Sequence, residues 1–125
     1  MRERRALTIA ILLLTLAACR GQDDTTAVQL TQGGDPEQGS IAIRRFGCGA
    51  CHVIPGIPNA NGRVGPSLAG IASRMYLAGQ VPNQPDQMML WITDPQKVAP
   101  GTAMPDMNVS EAEARDIAAY LYTLR

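Results

Sequence analysis

Cys48-Gly49-Ala50-Cys51-His52 places two thiols and an imidazole within five consecutive residues. A thioredoxin-like redox pair would require a βαβ setting around the C-x-x-C, and the flanking sequence offers none. A structural zinc site takes four ligands, yet the other cysteine is Cys19 and His52 is the sole histidine. A disulfide spanning two intervening residues would close a small, strained ring. C-x-x-C-H is also the signal for covalent attachment of c-type haem. In that reading the thiols of Cys48 and Cys51 add to two vinyl groups as thioethers, and His52 is carried under the iron as the proximal ligand.

The rest of the chain is short of material for a core. It has 125 residues and 13.4 kDa, room for one domain. Its aromatic residues are Phe46, Tyr76, Trp91, Tyr120 and Tyr122, while Gly and Pro number 12 and 9. Average usage of those two residues together is about 12%. A hydrophobic share of 46% is too high for a disordered chain. A small domain with few aromatics and many helix breakers needs a partner, a staple or a cofactor to complete its core. Basic and acidic residues balance at 11 each, so no positive excess exists to follow a nucleic-acid backbone.

Upstream, Met1-Arg2-Glu3-Arg4-Arg5 is a positive n-region, followed by the apolar run from Ala6 to Ala18. That run falls short of the about 20 residues a membrane-spanning helix requires. It has the length of the apolar core of a secretory signal. Its end, Leu16-Ala17-Ala18-Cys19, resembles the lipobox of bacterial lipoproteins, in which the Cys is acylated and becomes the new N-terminus. An ordinary signal peptide cut near Ala18, or a retained anchor helix, are the alternatives. Residues 1–18 are thus expected to be a signal peptide. The chain is expected to be exported to the periplasmic side of a bacterial membrane and held there by lipid on Cys19. Loss of Arg2, Arg4, Arg5 and Glu3 with the signal leaves the remainder about two units negative.

Residues 19–34 are polar and aperiodic, and read as a lipid-anchored tether. The domain is expected over 35–125. Asp35-Pro36-Glu37 supplies an N-cap, a first-position proline and a first-turn acid, opening a helix over 36–46 with Ile43 and Phe46 inward. Gly39 inside it costs about 1 kcal/mol against Ala, which suggests that another backbone comes close. Residues 53–82, rich in Pro and Gly, read as loop with a short helical piece near 67–75. A second helix over 83–93 carries Met88, Trp91 and Ile92 on one face, and Asp94-Pro95 stops it. Residues 95–109 read as loop. Ser110-Glu111-Ala112-Glu113 is a capping box, with Val109 stapling onto Ala114. The last helix buries Ile117, Tyr120, Leu121 and Leu124. No strand shows convincing alternation, and the expected class is all-α.

Taken in order, these features resemble a class I c-type cytochrome over 35–125. The residues that carry the likeness are Gly39 and Phe46 before Cys48–His52, then Val64-Gly65-Pro66-Ser67-Leu68, Trp91-Ile92 and Asp94-Pro95. Pro100-Gly101-Thr102-Ala103-Met104-Pro105 and Tyr120-Leu121 complete it. The resemblance implies three to five helices with long loops around one covalent haem, the N- and C-terminal helices crossing at Gly39. It implies Met104 as distal ligand, with Met107 as its rival, and the Pro66 carbonyl as acceptor for the proximal histidine. Arg74, Tyr76 and Trp91 become candidates to meet the haem propionates. The implied function is single-electron transfer between a quinol-side, membrane-bound donor and a terminal oxidase or reductase, with no small-molecule substrate. A haem enzyme or gas binder with an open iron position, and a cytochrome subunit docked in a larger complex, are the rival readings. With Lys97 the sole lysine after residue 18, docking is expected through a mostly apolar patch rather than a ring of lysines.

Overall fold

A computed structural model of the chain describes residues 20–125. The expected signal peptide and the lipidation site Cys19 lie outside the described residues. Helix α1 spans Arg20–Leu30, α2 Pro36–Arg45, α3 Pro85–Thr93, α4 Pro95–Val98 and α5 Glu111–Thr123. Single 3₁₀ turns occur at Cys48–Ala50 and Ile71–Ser73. Among the described residues no helix is long and apolar enough to cross a membrane.

Helices α2 and α5 form the centre of the fold and begin as their caps dictate. The Asp35 carboxylate accepts from the N–H groups of Glu37 and Gln38 at 2.8 and 3.2 Å. Its own N–H donates to Asp116 Oδ1 on α5 at 2.9 Å. Ser110 and Glu113 cap each other reciprocally at the start of α5. Where the two helices cross, a Cβ on Gly39 would sit 2.0 Å from the Asp116 carbonyl oxygen and 3.0 Å from Tyr120 Cβ. Only glycine permits that approach, so the helix-propensity cost at Gly39 is offset by backbone contact. Ile43 on α2 and Ile117 and Leu121 on α5 are buried, as are Val109 and Ala114. Tyr120 and Leu124 are only partly buried, and Tyr122, not expected inside, is buried.

Three segments differ from the sequence reading. Residues 20–30, expected as part of a tether, form a helix packed against α5. Ala27 within it and Thr31 just past its end are both fully buried. Thr31 Oγ1 returns its proton to the Ala27 carbonyl at 2.8 Å, and Asp23 pairs with Arg125 at 3.3 Å. Two small residues four apart make no hydrophobic stripe in the sequence, so the helix is invisible to periodicity. Residues 95–98, expected as loop, form α4, because Asp94 ends α3 and also caps a new turn by accepting the Lys97 N–H at 3.0 Å. Finally, Tyr76–Leu77 and Val81–Pro82 pair antiparallel, Tyr76 opposite Pro82 and Leu77 opposite Val81. Strands two residues long cannot display alternation.

Candidate haem-attachment site

The helix α2 ends at Arg45, and the chain turns through Gly47 in the left-handed region (φ 69°) into the Cys48–Ala50 turn. The N–H groups of Cys51 and His52 both return to the Cys48 carbonyl, at 3.2 and 3.0 Å. This coil puts Cys48, Cys51 and His52 on the wall of one cavity of about 760 Å³. Cavities of about 300–1,000 Å³ are the usual size for bound small molecules and cofactors. Other walls come from α2 and its end (Ile43, Phe46), the 64–68 and 71–78 segments, α3 (Met88, Trp91, Ile92), α5 (Ile117, Leu121) and the 99–107 loop.

The imidazole of His52 is held from two sides. Its Nδ1 lies 2.7 Å from the Pro66 carbonyl oxygen. A carbonyl only accepts, so Nδ1 carries a proton, and in the neutral ring the lone pair is then on Nε2. Such a bond fixes the ring orientation and raises the basicity of the free nitrogen. Gly65 lies flat against the ring, where a Cβ would come within 2.3 Å of Cε1. The Gly65 N–H donates to the Cys51 carbonyl at 2.8 Å, so the 64–66 strip is tied to the motif it braces.

All eight residues expected from sequence to bind the cofactor, Cys48, Cys51, His52, Pro66, Arg74, Tyr76, Trp91 and Met104, line this single cavity. Met107 reaches it too but is 37% exposed, whereas Met104 is half-buried. The Arg74 guanidinium donates to the carbonyls of Ser67 and Ala69, bracing that loop at the cavity edge. Tyr76 is 56% exposed at the mouth. Among the residues missed, Asn83 stands out. Its Nδ2 donates to the Ile71 and Arg74 carbonyls at 2.8 and 2.9 Å, and its Oδ1 accepts from Tyr122 Oη at 3.0 Å. It holds the 71–74 wall to α5, and no local pattern marks an asparagine that works across 39 residues of sequence.

The donor set suits haem c better than the competing readings. Cys48 and Cys51 are free thiols. Burial pushes the Cys48 thiol up, a backbone hydrogen bond opposes this, and the nearby Cys51 adds to the rise. A disulfide-exchange cysteine needs the reverse, a thiol lowered toward neutrality. Among the described residues no cluster of three or more His, Cys, Asp or Glu side chains is placed to hold a metal ion. What remains is two thiols and one imidazole nitrogen facing a mostly apolar cavity.

The comparisons with known proteins agree. The chain is 37% identical over 103 residues to a cytochrome c2 of Rhodoblastus acidophilus, covering 70% of this chain and 91% of that protein. It is 30% identical over 89 residues to a cytochrome c oxidase subunit 2 of Alkalihalophilus pseudofirmus. That match covers 70% of this chain but spans only a quarter of the oxidase subunit's length (25%). No solved structure matches the chain. Residues 37–125 match the family described as Cytochrome c. With the attachment motif, the braced histidine and the crossing at Gly39 all inside that match, the chain belongs to the cytochrome c family, whose chemistry is haem-based electron transfer.

Proposed function

We propose that this chain is a one-electron carrier with a single haem c bound through Cys48 and Cys51 and ligated by His52 and Met104. The observation that carries the reading is the convergence of His52 and Met104 on one cavity, with Nδ1 of the histidine already committed to Pro66. Haem, when bound, supplies a reversible one-electron couple. The chain supplies the rest. Cys48 and Cys51 would tether the group, and His52 would present Nε2 to the metal. Met104 would offer its thioether from the 99–107 loop, and Ile43, Met88 and Leu121 would exclude water. His/Met ligation raises a haem's potential relative to two nitrogen ligands. If His52 and Met104 both held the metal, the chain would leave no position for a substrate, which favours a carrier over an enzyme. Arg74, Tyr76 and Trp91 would meet the propionates at the cavity edge.

The membrane part of the reading rests on sequence. An exported chain acylated at Cys19 would work at the periplasmic face of a bacterial membrane, between a quinol-side donor and a terminal oxidase or reductase. The likeness to a cytochrome c oxidase subunit 2 supports an oxidase as the acceptor, and a docked rather than diffusing cytochrome is compatible with it.

Purified, exported holoprotein tests the core claim. The oxidised protein should show the weak charge-transfer band of Met–iron ligation at the red end of the visible spectrum. Met104→Ala should abolish that band and Met107→Ala should leave it. A high-spin spectrum from the wild-type protein would return the open-iron reading. Mass spectrometry of the mature N-terminus tests the anchor, since a product without acyl mass on Cys19 excludes it.

A further inference from the structure

We propose that Gln96 is the positioning residue of the distal loop, holding Met104 in place through a two-point amide clamp. The proposal rests on the reading of Met104 as ligand and adds to it the group that sets how firmly the ligand is held. Gln96 lies in the single-turn helix α4, which is itself fixed at both ends. Asp94 caps it, Pro95 is fully buried and Val98 is buried at its far end. From this platform the Gln96 side chain reaches forward over the loop. Its Nε2 donates to the Thr102 carbonyl at 2.9 Å, and its Oε1 accepts the Gly101 N–H at 2.9 Å. An N–H can only donate and a carbonyl can only accept, so the two groups read one amide orientation and match no other side chain of that length.

The clamp is transmitted to the ligand in two bonds. Gly101 takes a left-handed conformation (φ 83°), which turns its N–H and the next carbonyl toward Gln96. Thr102 is then anchored by its own N–H to the Ala99 carbonyl at 3.0 Å. Its Oγ1 accepts the Met104 N–H at 3.3 Å. The path from Gln96 to the Met104 backbone is therefore continuous. Gln96 itself is solvent-exposed. Its removal should leave the fold standing while freeing the loop to swing.

The distinguishing readout is competition for the distal position by external imidazole, measured spectrally on the oxidised holoprotein. A ligand that binds only when Met104 is released gains apparent affinity in proportion to the released fraction. Gln96→Ala should tighten imidazole binding about tenfold, as expected from losing two modest hydrogen bonds. Gln96→Glu should also tighten it, because an ionised carboxylate still accepts from Gly101 but opposes the Thr102 carbonyl. Lys97→Ala, one residue along the same turn, should match wild type, and all three should melt near the wild-type temperature. Met104→Ala sets the upper limit. If both Gln96 variants bind imidazole within twofold of wild type while Met104→Ala binds tightly, the clamp has no positioning role. If Met104→Ala binds no tighter than wild type, the ligand assignment fails and the inference falls with it.

Discussion

The two loops that face each other across the family's shared fold are held by different means. Residues 48–68, which carry His52, are sewn by backbone hydrogen bonds. Gly62 donates to Gly49, Ile54 to Ala60, Gly65 to Cys51 and Leu68 to Val53. Ile54, Ile57 and Ala60 are buried beneath them. Residues 94–108, which carry Met104, have backbone bonds up to Thr102 and lean further on polar side chains, those of Asp94, Gln96, Thr102 and Asp106. A backbone-sewn loop changes only when its packing is broken. A loop held by a few exposed side chains can be loosened one bond at a time. The contrast teaches that the His52 side is built to be invariant and the Met104 side to be adjustable.

The largest effect should come from Gly65→Ala. Its new Cβ would fall 2.3 Å from the His52 ring, while both neighbouring backbone bonds resist retreat. Overpacking of this kind costs about 1–3 kcal/mol, and the upper end is expected because the ring is pinned by Pro66. Thermal unfolding and the yield of haem-loaded protein measure it, and an unchanged midpoint would show that the proximal loop can yield. Next comes Tyr120→Phe, which removes the 2.7 Å bond from Tyr120 Oη to the Pro55 carbonyl. A loss of about 1 kcal/mol is expected, together with faster amide exchange around residues 56–57 than anywhere in the distal loop.

Alkaline pH sharpens the same contrast from another side. Tyr122 is pushed up to about 12, first by burial and then by Asp86, against an ordinary tyrosine value of about 10. The unfolded chain therefore releases this proton first. The stabilisation is whole below about pH 10 and is lost as pH rises toward the folded value near 12. Denaturant unfolding of wild type should weaken across that window, and Tyr122→Phe should remove that component of the slope. Equal slopes for the two proteins would mean that the hydroxyl is not buried beside Asp86 as the structure has it. The smallest effect is expected from Thr102→Val. Losing one 3.3 Å bond at a half-exposed site should cost at most about 0.5 kcal/mol of global stability. If it instead costs more than Gly65→Ala, the division into a sewn loop and an adjustable one is wrong.

Much of the fold was legible because its signals are local. Asp35-Pro36 and the Ser110/Glu113 box announce helix starts through groups three residues apart, and both helices begin there. The same Asp-Pro signature recurs at Asp94-Pro95. Reading it only as a stop hid α4 and, with it, Gln96. Helix α1 escaped because Ala27 and Thr31 have meaning only against α5. Asn83 and Tyr122 escaped for the same reason, since their bond joins segments far apart in the chain.

By itself the sequence determined the attachment chemistry, because Cys48, Cys51 and His52 are neighbours along the chain and need no fold to be brought together. It also determined where helices α2 and α5 start, and that some backbone must meet Gly39. The family resemblance already implied the Pro66 carbonyl as acceptor for His52, and the structure places it 2.7 Å from Nδ1. Tertiary structure alone decided that the Asp116 carbonyl is what Gly39 meets. It also decided that the Met104 loop is closed by an amide from a neighbouring turn. Each of these depends on where separate segments converge in space, and hydrogen bonds and close contacts reach only about 3 Å.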